Sequence, residues 1–187
     1  SSAVSRSPDP IHMRTLTREL RDALTPQMAI DVLRKGNERF MNNLKANRNL
    51  LQQVNETSEG QHPMAVVLSC IDSRTSAELI FDQGLGDIFS CRVAGNVLND
   101  DILGSMEFAC KVAGAKAIVV LGHTRCGAVK GACDGVELGN LTTLLHKIQD
   151  AIALETETLG DRTAANSEFV ERAAELNVLL AKSQIMQ

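Results

Sequence analysis

Three short apolar segments limit the folds that are open to this chain of 187 residues. Residues 64–68, 88–93 and 117–121 are largely apolar and partly β-branched, a composition typical of strands that are covered on both faces. A helical pattern over 102–113 lies between the second and third segments, and this succession predicts the right-handed crossover of a parallel sheet. The sequence therefore predicts an α/β fold in which a mostly parallel sheet is flanked by helices.

Helices are predicted on both sides of these strands, and several begin at recognisable capping residues. Thr25 followed by Pro26 starts an amphipathic helix to about residue 44, while the polar residues 45–62 are expected to form a connection. Asp100 or Asp101 is expected to cap the crossover helix. The remaining helices are predicted around 16–24, near 125, from 140 to about 152, and over 166–183 with Asn166 or Ser167 as the cap.

One domain is expected over the whole chain, 1–187, because its length and its 44% hydrophobic content suit a single core. Within it, residues 1–44 form an amino-terminal helical arm, 63–135 a core that carries the chemistry, and 138–187 the carboxyl-terminal helices. No repeats or low-complexity tracts interrupt this order.

Charge and cysteine content exclude several classes of partner. The 19 basic and 23 acidic residues give a formal charge of −4, and the basic ones are scattered, so neither nucleic acid nor an anionic membrane is expected as a partner. The longest apolar stretches are far too short to cross a bilayer. Five cysteines without a compact disulfide spacing favour a reducing compartment, and the cytoplasm is the expected location.

Two of the predicted strands end in loops rich in reactive side chains. Cys70, Asp72 and Arg74 follow the first strand, and His123 and Cys126 follow the third. Because the carboxyl ends of parallel strands meet at one edge of a sheet, one thiol from each loop and the imidazole are expected to come together there. Two thiolates and an imidazole suit Zn²⁺, and three protein ligands leave a fourth position for water, as in catalytic zinc sites.

Asp72 has two roles open to it beside such an ion. It either accepts a hydrogen bond from zinc-bound water while Arg74 keeps the carboxylate away from the metal, or it binds zinc as a fourth ligand and closes the site. We expect the open form. Gly127 is assigned to the substrate side, because it allows close backbone approach at the start of a helix whose positive end favours anions and lowers the pKa of the neighbouring thiol.

Each of these residues also has a plainer interpretation. Taken alone, Cys70 would more often be a buried core thiol, and Asp72 with Arg74 would more often cap the following helix. The cysteines without partner spacing are assigned to packing; they are Cys91, Cys110 and Cys133. The isolated histidines, expected to be exposed, are His12, His62 and His146.

Three separated motifs stand in the chain, and they are Cys70-Ile71-Asp72-Ser73-Arg74, Arg92-Val93-Ala94-Gly95-Asn96 and His123-Thr124-Arg125-Cys126-Gly127. In this order they resemble the motifs of the β-class carbonic anhydrases, and the resemblance runs from about residue 29 to 182. It implies zinc ligation by Cys70, His123 and Cys126. It also implies a dyad of Asp72 with Arg74 beside the metal, and Gln83 matches a glutamine that lines the substrate pocket across a subunit boundary.

The resemblance implies reversible hydration of CO₂ to bicarbonate, with one zinc ion per subunit and zinc-bound hydroxide attacking the carbon. It also implies a sheet of about four strands with an extra edge strand, and a homodimer or a tetramer of such dimers, with each amino-terminal helix embracing the neighbouring subunit. The chain departs from the family pattern by ending at Gln187 without the usual edge strand and by having neither Trp nor Tyr. We therefore expect altered tetramer contacts and no aromatic pocket for inhibitory bicarbonate.

Other functions stay open on the sequence. The same metal site could hydrolyse carbon disulfide or carbonyl sulfide, and pocket depth rather than the ligand set would separate that activity from CO₂ hydration. A non-catalytic zinc or redox sensor would need a fourth sulfur such as that of Cys91. A phosphate loop over residues 122–127 is disfavoured, because Ala128 stands where such a loop requires lysine.

Overall fold

Residues 14–187 are described by the computed structural model, and they divide into two compact units. The first unit contains residues 14–66, Ala77–Phe89 and Phe108–Ala117. The second unit contains Val67–Ser76, Ser90–Glu107 and Ile118–Gln187. The expected single domain over 1–187 stays a prediction, and residues 1–13 of the predicted arm lie outside the described residues.

A parallel sheet of three strands confirms the predicted α/β fold. Its strands are β1 (Ala65–Ser69), β2 (Ile88–Arg92) and β3 (Ala117–Leu121), in the order β2-β1-β3. The central strand β1 is buried at all five of its residues, whereas the edge strands β2 and β3 are partly exposed. Residues 14–187 thus form three strands where about four were expected.

Eight α-helices accompany these strands in the part of the chain that the structure describes. Four begin in the first unit: α1 (Arg18–Ala23), α2 (Pro26–Met41), α3 (Leu50–Glu56) and α4 (Ala77–Ile80). The others are α5 (Asp100–Glu107), α6 (Gly127–Cys133), α7 (Gly139–Leu154) and α8 (Ser167–Ile185). A wider π-helical turn, Phe108–Val112, follows α5 directly. None of the helices formed by residues 14–187 has the length and apolar content needed to span a bilayer.

Capping side chains confirm two of the predicted helix starts. At the start of α2, Thr25 Oγ1 accepts a hydrogen bond from the Met28 N–H at 3.1 Å. At the start of α8, Asn166 Oδ1 accepts one from the Phe169 N–H at 3.2 Å. Each cap satisfies a backbone donor that has no partner within the first helical turn, which explains why these helices begin where they do.

Two other helix predictions were wrong. Asn99, rather than Asp100 or Asp101, caps α5, because its Oδ1 accepts an N–H of the first turn at 2.8 Å. The two aspartates lie within that turn, where the positive end of the helix favours negative charge. The segment 45–62, expected to be a connection throughout, contains the short helix α3, which Asn49 caps.

The core of the second unit encloses both strand-end cysteines. Apolar side chains from α6, α7 and α8 pack together there, and those that are almost fully buried include Val129, Ile148, Val170 and Ala173. Cys70 and Cys126 belong to the same buried cluster, with 4% and 2% of their surfaces exposed. Tertiary packing therefore fixes the positions of both thiols.

A buried ion cluster lies in the first unit. Asp82 accepts hydrogen bonds from Arg39 Nε at 2.5 Å and from Arg48 Nη1 at 2.6 Å, and the Ala46 N–H donates to the same carboxylate at 3.0 Å. Burial alone would raise the pKa of Asp82, but these three donors outweigh it and hold the pKa below its usual range. The cluster ties α2 and the segment after it to the end of α4.

Candidate metal centre

Three potential metal ligands converge at the carboxyl ends of β1 and β3, as the sequence predicted. Cys70 directly follows β1, His123 follows β3, and Cys126 precedes the first residue of α6. Their ligand atoms all lie within 4.8 Å of one another, and the two sulfurs are 4.0 Å apart. Among residues 14–187 this is the one group of three such side chains with metal-binding geometry.

The imidazole of His123 is oriented so that one nitrogen faces the two thiols. Its Nδ1 lies 2.9 Å from the carbonyl oxygen of Thr124, and because a carbonyl only accepts, Nδ1 carries the proton of this hydrogen bond. Nε2 then carries the lone pair of the neutral ring, and it is buried without a hydrogen-bond partner. A buried nitrogen without a hydrogen-bond partner destabilises the folded state unless another group, such as a metal ion, binds its lone pair.

The environment of the thiols also fits a bound cation. Burial raises the pKa of Cys126, and the nearby Cys70 raises it further, although the N–H groups of Val129 and Ala128 act in the opposite direction. The start of α6 therefore lowers this pKa as expected, but burial and the neighbouring Cys70 outweigh that effect. Since sulfur binds metals as thiolate, a cation between the two sulfurs would supply the missing stabilisation. The donor set of two sulfurs and one nitrogen fits a metal ion that accepts such ligands.

Asp72 is paired with Arg74 beside this group. The Arg74 side chain donates from Nε to Oδ1 at 2.9 Å and from Nη2 to Oδ2 at 2.8 Å, and its backbone N–H also donates to Oδ1 at 2.9 Å. These bonds hold the pKa of Asp72 well below its usual range. Asp72 Oδ2 is 4.0 Å from His123 Nε2, so the carboxylate lies next to the three ligands while its bonds go to Arg74.

The backbone that carries Cys70 and Asp72 is held by two further side chains. Arg92 donates from Nε to the carbonyl of Cys70 at 3.0 Å and from Nη2 to that of Asp72 at 2.6 Å. Thr75 Oγ1 donates to the same two carbonyls, at 3.1 and 2.9 Å. Sequence reasoning gave neither residue a role, although Arg92 stands in one of the three motifs.

The loop between His123 and Cys126 is held to α8 by a hydrogen bond. Arg125 adopts a left-handed backbone conformation with φ of 55°, which is uncommon for a residue with a side chain. Its N–H donates to Glu171 Oε1 on α8 at 2.9 Å. This bond crosses 46 positions of sequence, and no local pattern pointed to Glu171.

The two residues assigned to the substrate side are placed differently. Gln83 lies in the first unit, is 9% exposed, and donates from Nε2 to the carbonyls of Phe81 at 2.7 Å and Asp82 at 3.2 Å. Gly127 is the first residue of α6, and a side chain built there would meet no described atom within 4 Å. The space beside its Cα is therefore open among residues 14–187, as close approach of another group would require. Its part in binding substrate stays a prediction.

The other cysteines lie outside the metal-binding group. Cys91, Cys110 and Cys133 are partly buried, and burial raises the pKa of all three, that of Cys133 to about 11. Cys91, suggested as a fourth sulfur for a sensor, does not belong to the group. His146 is exposed as expected and His62 is only half-exposed, while His12 lies outside the described residues.

Comparison with known families gives one clear match. Residues 65–187 match the family described as carbonic anhydrase. The matched segment begins at the first residue of β1 and contains all three converging ligands together with Asp72 and Arg74. It also contains Gln83 and Gly127.

Several curated proteins are similar to this chain. Carbonic anhydrase 2 of Mycobacterium tuberculosis is 44% identical over 119 residues, which are 62% of this chain and 56% of that protein. The carbonic anhydrase of Mycolicibacterium smegmatis is 42% identical over 118 residues, or 62% of this chain and 57% of the relative. The carbonic anhydrase of Synechocystis is 30% identical over 167 residues, which are 86% of this chain and 57% of that protein. The chain thus spans little more than half the length of the curated relatives it matches.

Solved structures of similar fold were also found. The β-carbonic anhydrase of Aspergillus fumigatus is 31% identical, with a TM-score of 0.64, over 72% of this chain and 65% of that one. A tetrameric β-carbonic anhydrase of Sordaria macrospora is 26% identical, with a TM-score of 0.67, over 86% of this chain and 79% of that one. These likenesses agree with the sheet and helices described above.

Proposed function

Since this chain belongs to the β class of carbonic anhydrases, we propose that it catalyses the reversible hydration of carbon dioxide to bicarbonate and a proton, with one zinc ion per subunit. The observation that carries the proposal is the buried, unpartnered Nε2 of His123 facing two thiols 4.0 Å apart. Together these atoms offer a soft, three-ligand set with an apolar core behind it.

The ligands in this proposal are Cys70, His123 and Cys126. When bound, zinc supplies a Lewis acid that makes water nucleophilic near neutral pH. The chain holds both sulfurs in its core, and the Thr124 carbonyl keeps the imidazole proton on Nδ1. The protein thereby fixes the tautomer and the direction of the nitrogen that would bind the metal.

Asp72 orients the reacting water in this proposal. Its pKa lies well below the usual range, so the carboxylate is an acceptor at any pH at which the enzyme works. Arg74 occupies both carboxylate oxygens from one side and thereby directs the remaining lone pairs. The same pairing supports the open form of the site, because it restrains Asp72 from becoming a fourth metal ligand.

Gln83 and Gly127 would contribute to substrate binding, with Gln83 acting from a neighbouring subunit of a homodimer or tetramer. The tetrameric state of the Sordaria relative supports an oligomer. All five cysteines are free, which supports a reducing compartment such as the cytoplasm. The sensor alternative is not favoured, because Cys91 lies outside the metal-binding group.

Stopped-flow measurement of CO₂ hydration, with the zinc content determined on the same sample, tests the proposal. We expect wild type to bind one zinc per chain and to be active, and Cys70→Ala to lose metal and activity together. Cys133→Ala is the matched control, because it removes a half-buried thiol outside the site and should retain both. A zinc-free Cys70→Ala protein with normal turnover, or a metal-loaded but inert wild type, would refute the proposal.

A further inference from the structure

A carboxamide on the core-facing side of α8 has no role in the chemistry described so far. Asn177 is only 4% exposed and shares its helix face with Ala173, Ala174 and Ala181. Its Nδ2 donates to the carbonyl of Gly95 at 2.7 Å, across 82 positions of sequence. An apolar side chain would pack against this core without a desolvation cost, so the hydrogen bond is the feature that Asn177 adds.

Gly95 links that carboxamide to the metal centre. Its backbone N–H donates to the sulfur of Cys70 at 3.2 Å, a hydrogen bond in the buried interior. Gly95 has φ of 67° and Asn96 has φ of 44°, so two consecutive residues adopt the left-handed conformation. A Cβ at Gly95 would lie 2.7 Å from Ile148 Cδ1, which shows how closely the core surrounds this turn.

We propose that Asn177 is a positioning residue for the ligand Cys70. Its bond to the Gly95 carbonyl holds the strained turn in the orientation in which the Gly95 N–H points at the Cys70 sulfur. A hydrogen bond to a ligating sulfur fixes the direction of its lone pairs. Asn177 thus acts on the metal through Gly95 and Cys70 without touching it, and the inference rests on the proposed metal site.

The test compares Asn177→Ala with Gln149→Ala. Gln149 on α7 makes a bond of the same type and length, from Nε2 to the Ala132 carbonyl at 2.7 Å in the same unit. Unlike Gly95, Ala132 makes no hydrogen bond to a ligand sulfur among the bonds of the described residues. Zinc affinity is measured by competition with a chromophoric chelator, the thiolate-to-metal absorption by cobalt substitution, and the Gly95 amide resonance by NMR. Asn177→Ala should bind zinc about tenfold more weakly, the lower end of the range for outer-shell partners.

Both substitutions remove one amide-to-carbonyl bond, so both should lower the melting temperature, Asn177→Ala by more because its bond is buried. Only Asn177→Ala should weaken zinc binding, alter the cobalt–thiolate absorption and shift the Gly95 amide proton. Asn177→Leu provides a second variant of similar branched shape that lacks the donor and is compatible with the apolar core, and it should behave in the same way. It keeps the inference testable if the alanine variant does not fold.

Zinc affinity and Gly95 resonance that match those of Gln149→Ala would show a purely structural role and overturn the inference alone. Failure of the wild type to bind zinc would overturn the proposed function, and this inference with it. The wild-type titration therefore separates the two failures.

Discussion

Two aspartate–arginine clusters, one in each unit, use the same chemistry in different settings. In the first unit Asp82 is 4% exposed and is bound by Arg39 and Arg48, which stand 43 and 34 positions away in sequence. In the second unit Asp72 is bound by Arg74, two positions away, and the Arg74 side chain is 62% exposed. In both clusters the donors hold the pKa of the carboxyl below its usual range.

The difference between the clusters shows what a charged pair is suited to do. Asp82 and Arg48 are both buried and neutralise each other's charge, so this cluster holds chain segments together. Asp72 is partly exposed, is oriented from one side by Arg74, and lies 4.0 Å from the unpartnered nitrogen of His123. The first cluster is therefore expected to matter for folding and the second for turnover.

The largest expected effect belongs to Asp72→Asn. An asparagine keeps the shape but loses the acceptor charge, so turnover should fall about a thousandfold, within the range for losing a positioned proton acceptor. Zinc content should stay at one per chain, and the urea unfolding midpoint should hardly change because the partner Arg74 is exposed and is not left as a buried charge. An active Asp72→Asn enzyme, or one that has lost its zinc, would contradict the proposed role.

Asp82→Asn should show the reverse pattern. Asparagine tolerates the positive φ of 45° at this position, so the substitution removes mainly the charge and leaves the buried Arg48 uncompensated. The free energy of unfolding should fall by about 3 kcal/mol, as for other broken buried pairs. Turnover per folded, zinc-loaded molecule should remain within about twofold of wild type, a small effect on the scale set by losing a catalytic group.

Asp31→Asn is the control for Asp82→Asn, because the side chains of Asp31 and of its partner Arg34 are 50% and 71% exposed. Its effect on the free energy of unfolding should be below about 1 kcal/mol. If the two substitutions lower the free energy of unfolding equally, the buried cluster stabilises the fold no more than an exposed pair does. The contrast drawn between the two clusters would then be wrong.

Arg74→Lys should have a smaller effect on catalysis than Asp72→Asn. Lysine keeps a positive charge near Asp72 but cannot make the two parallel bonds at 2.9 and 2.8 Å, so the carboxylate would be less well oriented. Turnover should fall about tenfold with zinc binding unchanged, consistent with losses seen when orienting partners are removed. Full activity in Arg74→Lys would mean that charge alone, without orientation, is enough.

Acid should remove the contribution of the Asp82 carboxylate to the free energy of unfolding, because the pKa of this group is lowered in the folded protein. The carboxyl has a lower pKa when folded than in the unfolded chain, where it is about 3.9, so its stabilisation is present above that value and is lost as the pH falls through the folded pKa. The gap in unfolding free energy between wild type and Asp82→Asn should therefore narrow by about 1 kcal/mol from pH 5 to pH 3. A gap that widens in acid would contradict the assignment.

The contrast also explains how much could be read from the sequence. Cys70, Asp72 and Arg74 stand within five positions at the end of a buried strand, and His123 and Cys126 follow another, so local motifs and the rule for parallel sheets placed them together. The partners of Asp82 and the bond from Asn177 to Gly95 depend on contacts across 34 to 82 positions. Such contacts follow from tertiary packing and leave no periodic signal in the chain.

The errors in secondary structure have local causes. Asn99, Asp100 and Asp101 are three consecutive residues that can all cap a helix, so residue preference alone could not choose among them. Helix α3 has only seven residues, and its one buried residue, Gln53, accepts a hydrogen bond from the Leu85 N–H. Its apolar residues Leu50, Leu51 and Val54 are exposed, and the polar residues on either side of so short a helix make the whole segment resemble a loop in sequence.

The account depends most on one metal ion bound by three side chains. An anomalous-difference map collected at the zinc absorption edge, from crystals of protein purified without chelators, tests this directly. We predict a single strong peak about 2.0–2.3 Å from Cys70 Sγ, His123 Nε2 and Cys126 Sγ, with Asp72 still bound to Arg74. Zinc-saturated crystals with no peak between these atoms, or with Asp72 released from Arg74 and bound to the metal, would contradict it.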